Sequence, residues 1–143
     1  MILVDNSLLV YAHNSTDEQF EKASAWFEDL MNTGQPAFCW ETINGFIRVT
    51  TNRSAIPNPY SLPEAFAVVN GWLSVPNAVF LSPTTDHLDV LSRVSLDANA
   101  VGALFSDAVL AAYAISHNAT MASADRDFRL FDGLKLINPL LDL

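Results

Sequence analysis

Five carboxylates mark the chemistry open to this sequence. Asp5 follows the apolar run Ile2-Leu3-Val4, and Glu41 follows the run Ala37 to Trp40. Asp107 opens a strongly apolar segment, and Asp125 and Asp127 come just after Ala119 to Ser123. Each has an ordinary explanation in isolation. An Asp at a helix start caps it, an acid in a first helical turn complements the macrodipole, and Asp in the string Ser-Ala-Asp-Arg-Asp suits a turn. Position sets the group apart, because every member falls where a strand ends or where a helix feeding a strand begins. Carboxylates gathered that way raise one another's pKa and strain the fold unless a cation holds them. Magnesium is a hard ion that takes oxygen ligands. It polarises phosphoryl oxygens and lowers the pKa of an attacking water, which suits phosphodiester hydrolysis.

The elements that must position these acids alternate. Short apolar runs at Ile2–Val4, Ala37–Trp40, Val79–Leu81, Ala119–Ser123 and Leu134–Ile137 read as strands. Between them lie helical spacings. Phe20, Ala23, Phe27, Leu30 and Met31 follow a Ser15–Glu18 capping box and stop at Gly34. Ile43, Phe46, Ile47 and Thr50 share one face of a helix over 41–51. Ser61 with Glu64 is a second capping box, opening a helix through Leu73, and Leu88, Leu91 and Val94 mark the next. Asp107 begins a helix carrying Val109, Leu110, Ala114 and Ile115. Strands alternating with helices imply βαβ units with right-handed crossovers. The predicted fold is α/β, a single three-layer α/β/α domain over 1–143 with a mostly parallel central sheet. In such sheets ligands bind outside the carboxyl ends of the strands, where the acids lie.

Composition narrows the function classes. Half of the 143 residues are hydrophobic and 16% charged, the balance of a globular chain. A single cysteine, Cys39, forms no internal disulfide and builds no zinc site alone, which points to the cytoplasm. No apolar run reaches the ~18 residues of a membrane span, so no membrane is expected as a partner. A net charge of −9 argues against a protein that coats nucleic acid, though not against an enzyme that meets it through a metal. His13, His87 and His117 share no ligand spacing, and glycine never forms a phosphate-cradling loop. Trp26, Trp40 and Trp72 fall at core spacing.

With these residues in view, the chain resembles a known family. Met1-Ile2-Leu3-Val4-Asp5-Asn6-Ser7-Leu8-Leu9-Val10-Tyr11-Ala12 is similar to the opening of PIN-domain proteins. Three later blocks resemble the VapC toxin branch: Gly45-Phe46-Ile47-Arg48-Val49-Thr50-Thr51-Asn52, Ser106 to Ala114, and Ala119 to Phe128. The match runs in order nearly end to end and closes with Asn138-Pro139. The resemblance implies a magnesium-dependent endoribonuclease, with manganese as a second candidate ion, acting as the toxin of a toxin–antitoxin pair. It implies Asp5 and Asp107 as principal metal ligands, Asp125 completing the acidic site, and Asp127 nearby. Ser7 falls where the family has a small polar residue supporting the first aspartate. RNA as substrate, a small cognate antitoxin and a homodimer are the partners it implies.

One departure bears on the catalytic set. The second acid of many PIN domains precedes the Phe-x-Arg of this helix, where this chain has Gly45. Glu41 lies one turn earlier and on the same face, and it is the candidate replacement. Arg48, Arg126 and Arg129 are candidate RNA contacts beside the acids. A receiver domain also carries strand-end acids, but neither Lys22 nor Lys135 has the setting it needs. An Asp-nucleophile phosphatase would want Asp-x-Asp where this chain has Asp5-Asn6-Ser7. The remaining alternative is a catalytically weak PIN domain serving as an RNA- or protein-binding module.

Overall fold

A computed structural model describes residues 1–141. Five strands, β1 (Ile2–Val4), β2 (Pro36–Phe38), β3 (Val79–Phe80), β4 (Thr120–Ala122) and β5 (Lys135–Ile137), form one sheet in the order β3-β2-β1-β4-β5. All four pairings are parallel. Six helices cover it: α1 (Asn6–Tyr11), α2 (Phe20–Thr33), α3 (Trp40–Thr50), α4 (Leu62–Leu73), α5 (His87–Ala98) and α6 (Ala103–Ser116). A 3-10 turn spans Arg126–Leu130.

The layers follow from the two-residue period of a strand. Leu3, Ala37 and Met121 point to one face and pack with Val94 of α5 and Ala108, Ala111 and Ala112 of α6. Val4, Phe38 and Ala122, each one residue on, point to the other face and meet Leu8, Phe27, Phe46 and Trp72 from α1 to α4. Both sets of strand residues are fully buried, as a sheet covered on both faces requires. The alternating pattern thus yields the three-layer, all-parallel architecture expected from the sequence.

The second core is built on aromatic rings. Trp72 stacks on Phe38 at 5.2 Å and tilts against Phe46 at 4.6 Å. His13 sits within 5.6 Å of Phe27, Phe46 and Trp72 and donates through Nδ1 to the Leu9 carbonyl at 2.7 Å. Burial holds its imidazole below the usual histidine range. His117 binds the Ser82 carbonyl, and His87 packs on the Tyr113 ring. The three histidines stand apart, as their spacing suggests.

Several local expectations are corrected. The Ser15–Glu18 capping box does not form: Asn14 Oδ1 captures Thr16, Asp17 Oδ1 accepts from the Gln19 amide, and the helix starts later, at Phe20. The second strand ends at Phe38 because Cys39 is the N-cap of α3, where the Thr42 hydroxyl bonds both the amide and the carbonyl of Cys39. Trp40 is consequently 58% exposed, packed edge-on against Phe80 rather than in the core. Asp107 does not open its helix. Gly102, at φ +62°, turns the chain, and α6 begins at Ala103, so Asp107 lies in the second turn.

The second capping box forms as the sequence implies, with Ser61 Oγ accepting from the Glu64 amide at 3.2 Å and Glu64 Oε1 from the Ser61 amide at 2.9 Å. Ser61→Ala should therefore cost about 1 kcal/mol. Urea midpoints of the two proteins check this, and an unchanged midpoint would count against the cap.

Candidate active site

Asp5 leaves β1 at its carboxyl end and is itself buried, 6% exposed. It sits at the N-cap of α1 but its side chain makes no capping bond to the next turn. Two serine hydroxyls instead donate to one oxygen, Oδ2: Ser123 at 2.7 Å and Ser7 at 3.0 Å. Burial raises the Asp5 pKa above the ordinary carboxylate value, with the nearby Asp125 adding to the rise, while the hydroxyls and the Asn6 amide oppose it.

The site continues as a relay of short bonds from β4. The Asp125 amide donates to Ser123 Oγ at 3.0 Å, and the Asp127 amide donates to Asp125 Oδ1 at 2.9 Å. The Asp125 carboxylate is thus oriented by the backbone of Asp127, and Ser123 links this loop to Asp5. Ser123, 1% exposed, is the residue sequence reasoning missed. Its only signal was its place at a strand end, two residues before Asp125.

Asp107 enters from α6 to face this loop. Carboxylate oxygens of Asp107, Asp125 and Asp127 all lie within 4.8 Å of one another. Burial, then the charges of Asp125, Asp5 and Asp127, push the Asp107 carboxyl up to about 6. Since Asp107 lies beyond the first turn, where the helix macrodipole fades, no dipole role explains it. All donors here are hard oxygens in a concave setting, which fits a magnesium-sized ion better than a thiophilic one. Among the described residues this is the group of acids that offers such a set.

Asp5, Ser7, Asp107 and Asp125 line a cavity of about 330 Å³. Asp107 and Asn6 also form the wall of a second cavity, of about 460 Å³, whose other side is α3. Glu41 belongs there and not to the acidic cluster: its Oε1 accepts from the Tyr113 hydroxyl at 3.0 Å. Arg48 lines this second cavity as well. Arg126 and Arg129 line a third, of about 180 Å³, that includes Ser123 and Asp125. The candidate cations therefore flank the acids on two sides.

Gly45 has a steric reason to lack a side chain. A Cβ there would come within 2.6 Å of Asn6 Nδ2 and 3.0 Å of Asn6 Cγ. Helices α1 and α3 pack closely at this point, and Asn6 fills the space an acid would need.

The PIN domain family profile matches residues 2–134. The sequence is 34% identical over 140 residues to Ribonuclease VapC37 of Mycobacterium tuberculosis, covering 97% of both chains. It is 37% identical over 141 residues to VapC ribonuclease Mb2897 of Mycobacterium bovis, covering 98% of this chain and 96% of that one. The solved structure of VapBC2 from Rickettsia felis, bound to a DNA fragment from their promoter, superposes with a TM-score of 0.69. It covers 96% of this chain and 98% of that chain at 17% identity, a likeness of fold.

The raised carboxyls have a consequence for stability. A carboxyl whose folded pKa exceeds its unfolded one binds its proton more tightly when folded, so stability falls as pH rises between the two values. For Asp107 that window runs from 3.8 to about 6, and Asp5 acts in the same direction. In chelator, the melting temperature contributed by this cluster should decline across the window. Asp107→Asn should flatten the decline and melt higher at neutral pH. Parallel profiles for the two proteins would show that the acids are not strained.

Proposed function

Because the chain belongs to the PIN-domain family, we propose that it is a metal-dependent endoribonuclease of the VapC type, the toxin of a toxin–antitoxin pair. The observation that carries this reading is the convergence of Asp107, Asp125 and Asp127 beside the buried Asp5. Residues 1–143 form one PIN-like nuclease domain in this reading.

Asp5, Asp107 and Asp125 would hold magnesium, or manganese in its place. When bound, the ion supplies Lewis-acid polarisation of the phosphoryl oxygen and an attacking water of lowered pKa. The chain's own part is preorganisation. Ser7 and Ser123 fix the Asp5 carboxylate so that it needs no rotation to serve as ligand. Asp125 is fixed through its own amide and Oδ1, and Asp127, next to it, supports the same loop. Arg48 on one side and Arg126 and Arg129 on the other offer guanidinium forks to the phosphates of RNA. They offset locally a net charge of −9 that would otherwise repel the substrate.

The antitoxin partner follows from the family resemblance and is in keeping with the VapBC assembly among the structural neighbours. An arginine-bearing arm is the complement that the acidic cluster would attract. A homodimer is the quaternary state in this reading, and the cytoplasm its compartment. No helix among the described residues is long and apolar enough to cross a membrane.

Purified protein should cleave RNA only with a divalent ion, and Asp5→Asn or Asp107→Asn should abolish cleavage while leaving the circular dichroism spectrum intact. Wild-type rates in either variant would discard the metal-nuclease mechanism. Metal-dependent RNA binding without cleavage would favour the binding-module reading, for which the missing acid at Gly45 is the supporting observation. Charge reversal at Arg126 or Arg129 should weaken RNA binding more than it lowers the melting temperature, as competition binding would report.

A further inference from the structure

The 460 Å³ cavity between α1, α3 and α6 has a size typical of small-ligand clefts, roughly 300–1,000 Å³. It shares Asn6 and Asp107 with the cavity that holds the acids. A nucleotide whose phosphate reaches the acidic cluster therefore has this cavity as the neighbouring space for its base. The α3 wall is one helical face, with Glu41, Asn44, Gly45 and Arg48 at spacings of three, four and seven. Val109 and Leu110 of α6 give it an apolar side.

Glu41 is the unusual member. It is exposed to the cavity yet anchored, because the buried Tyr113 hydroxyl donates to its Oε1 at 3.0 Å. Burial and the Glu41 carboxylate both raise the Tyr113 pKa, so the phenol stays a donor at neutral pH. An anchored carboxylate presents two acceptors side by side and no donor. Of the four RNA bases, guanine alone carries two adjacent donors on its Watson–Crick edge, N1–H and N2–H. Adenine and cytosine set an acceptor beside their amino group, and uracil flanks N3–H with two carbonyls. RNA enzymes read splayed-out bases on this edge.

We propose that this cavity is the base subsite beside the scissile phosphate and that the Tyr113-anchored Glu41 carboxylate makes it select guanine. The inference rests on the ribonuclease reading and gives that activity a substrate preference. Glu41 is then a specificity residue that touches the base, and Tyr113 a positioning residue acting through it. Gly45 adds no side chain to the α3 wall, so between Glu41 and Arg48 the cavity is bordered there by Asn44 and, from α1, by Asn6.

Cleavage of a randomised RNA pool by the magnesium-loaded wild type should show guanine at one fixed position beside the cut. Oligonucleotides with inosine there, lacking only the N2 amino group, should lose about ten- to a hundredfold in kcat/KM. Glu41→Gln should collapse the guanosine-to-inosine ratio towards one, and Tyr113→Phe should reduce it partway, mainly through KM. Cleavage without a guanine preference, or a Glu41→Gln variant slowed equally on every sequence, would overturn the proposal. Titration of the wild type with guanosine, inosine and adenosine 5′-monophosphates in magnesium reads base selection without turnover. Guanosine monophosphate should bind tightest, and equal affinities would overturn the proposal even in a protein that cleaves RNA. A protein that ranks the nucleotides in this way yet cleaves no RNA would instead defeat the ribonuclease reading and leave the base preference standing.

Discussion

Mutual repulsion among carboxylates is the constraint around which this molecule is arranged. Asp5, Asp107, Asp125 and Asp127 come from the two ends and the late middle of the chain, and nothing in their own chemistry favours their meeting. The parallel sheet brings them together because successive strands point the same way and end at the same edge. Burial first, and then the charges of Asp125, Asp5 and Asp127, push the Asp107 carboxyl up to about 6. What holds the group in place is packing elsewhere: fully buried Leu3, Val4, Met121 and Ala122 lock β1 against β4 directly beneath the acids.

Around that strained centre, neutral donors orient what they cannot neutralise. Two hydroxyls converge on a single oxygen of Asp5, and backbone amides serve Asp125 and its relay through Ser123. Hydroxyls and amides supply direction without adding a positive charge that would compete with a cation. The arginines line neighbouring cavities, Arg48 on the α3 side and Arg126 and Arg129 on the 3-10 turn. Charge of opposite sign is thus separated by location, acids at the centre and cations at the margins.

The architecture was legible because it depends on period. Strand runs bounded by turn residues and apolar faces repeating at helical spacing specify the layers without knowledge of any contact. Acids were locatable for the same reason, since strand ends can be read from strand runs. Contacts between distant residues were not legible. Ser123 is one serine among many until β4 is set beside β1, and Glu41 is one more helix-start acid until Tyr113, 72 positions later, is seen to hold it. Two local errors have local causes. Asn14 and Asp17 bind the Thr16 and Gln19 amides in turns ahead of α2, which starts only at Phe20, and the left-handed Gly102 starts α6 a turn before its first charged residue. The empty position at Gly45 was readable as an absence, but its cause, the Asn6 side chain of another helix, was not.

The bond between Ser123 and Asp5 joins residues 118 positions apart. Strand β1 lies in the middle of the sheet, and one of its two neighbours, β4, is made from nearly the last part of the chain. Closing so long a loop is entropically costly and slow compared with forming local contacts. During synthesis, a growing chain that has not yet reached Thr120 has neither the strand nor the serine nor the two aspartates that complete the centre. The acidic centre is therefore complete only when β4 has docked beside β1, so its assembly is tied to the closing of the sheet's middle and cannot precede it.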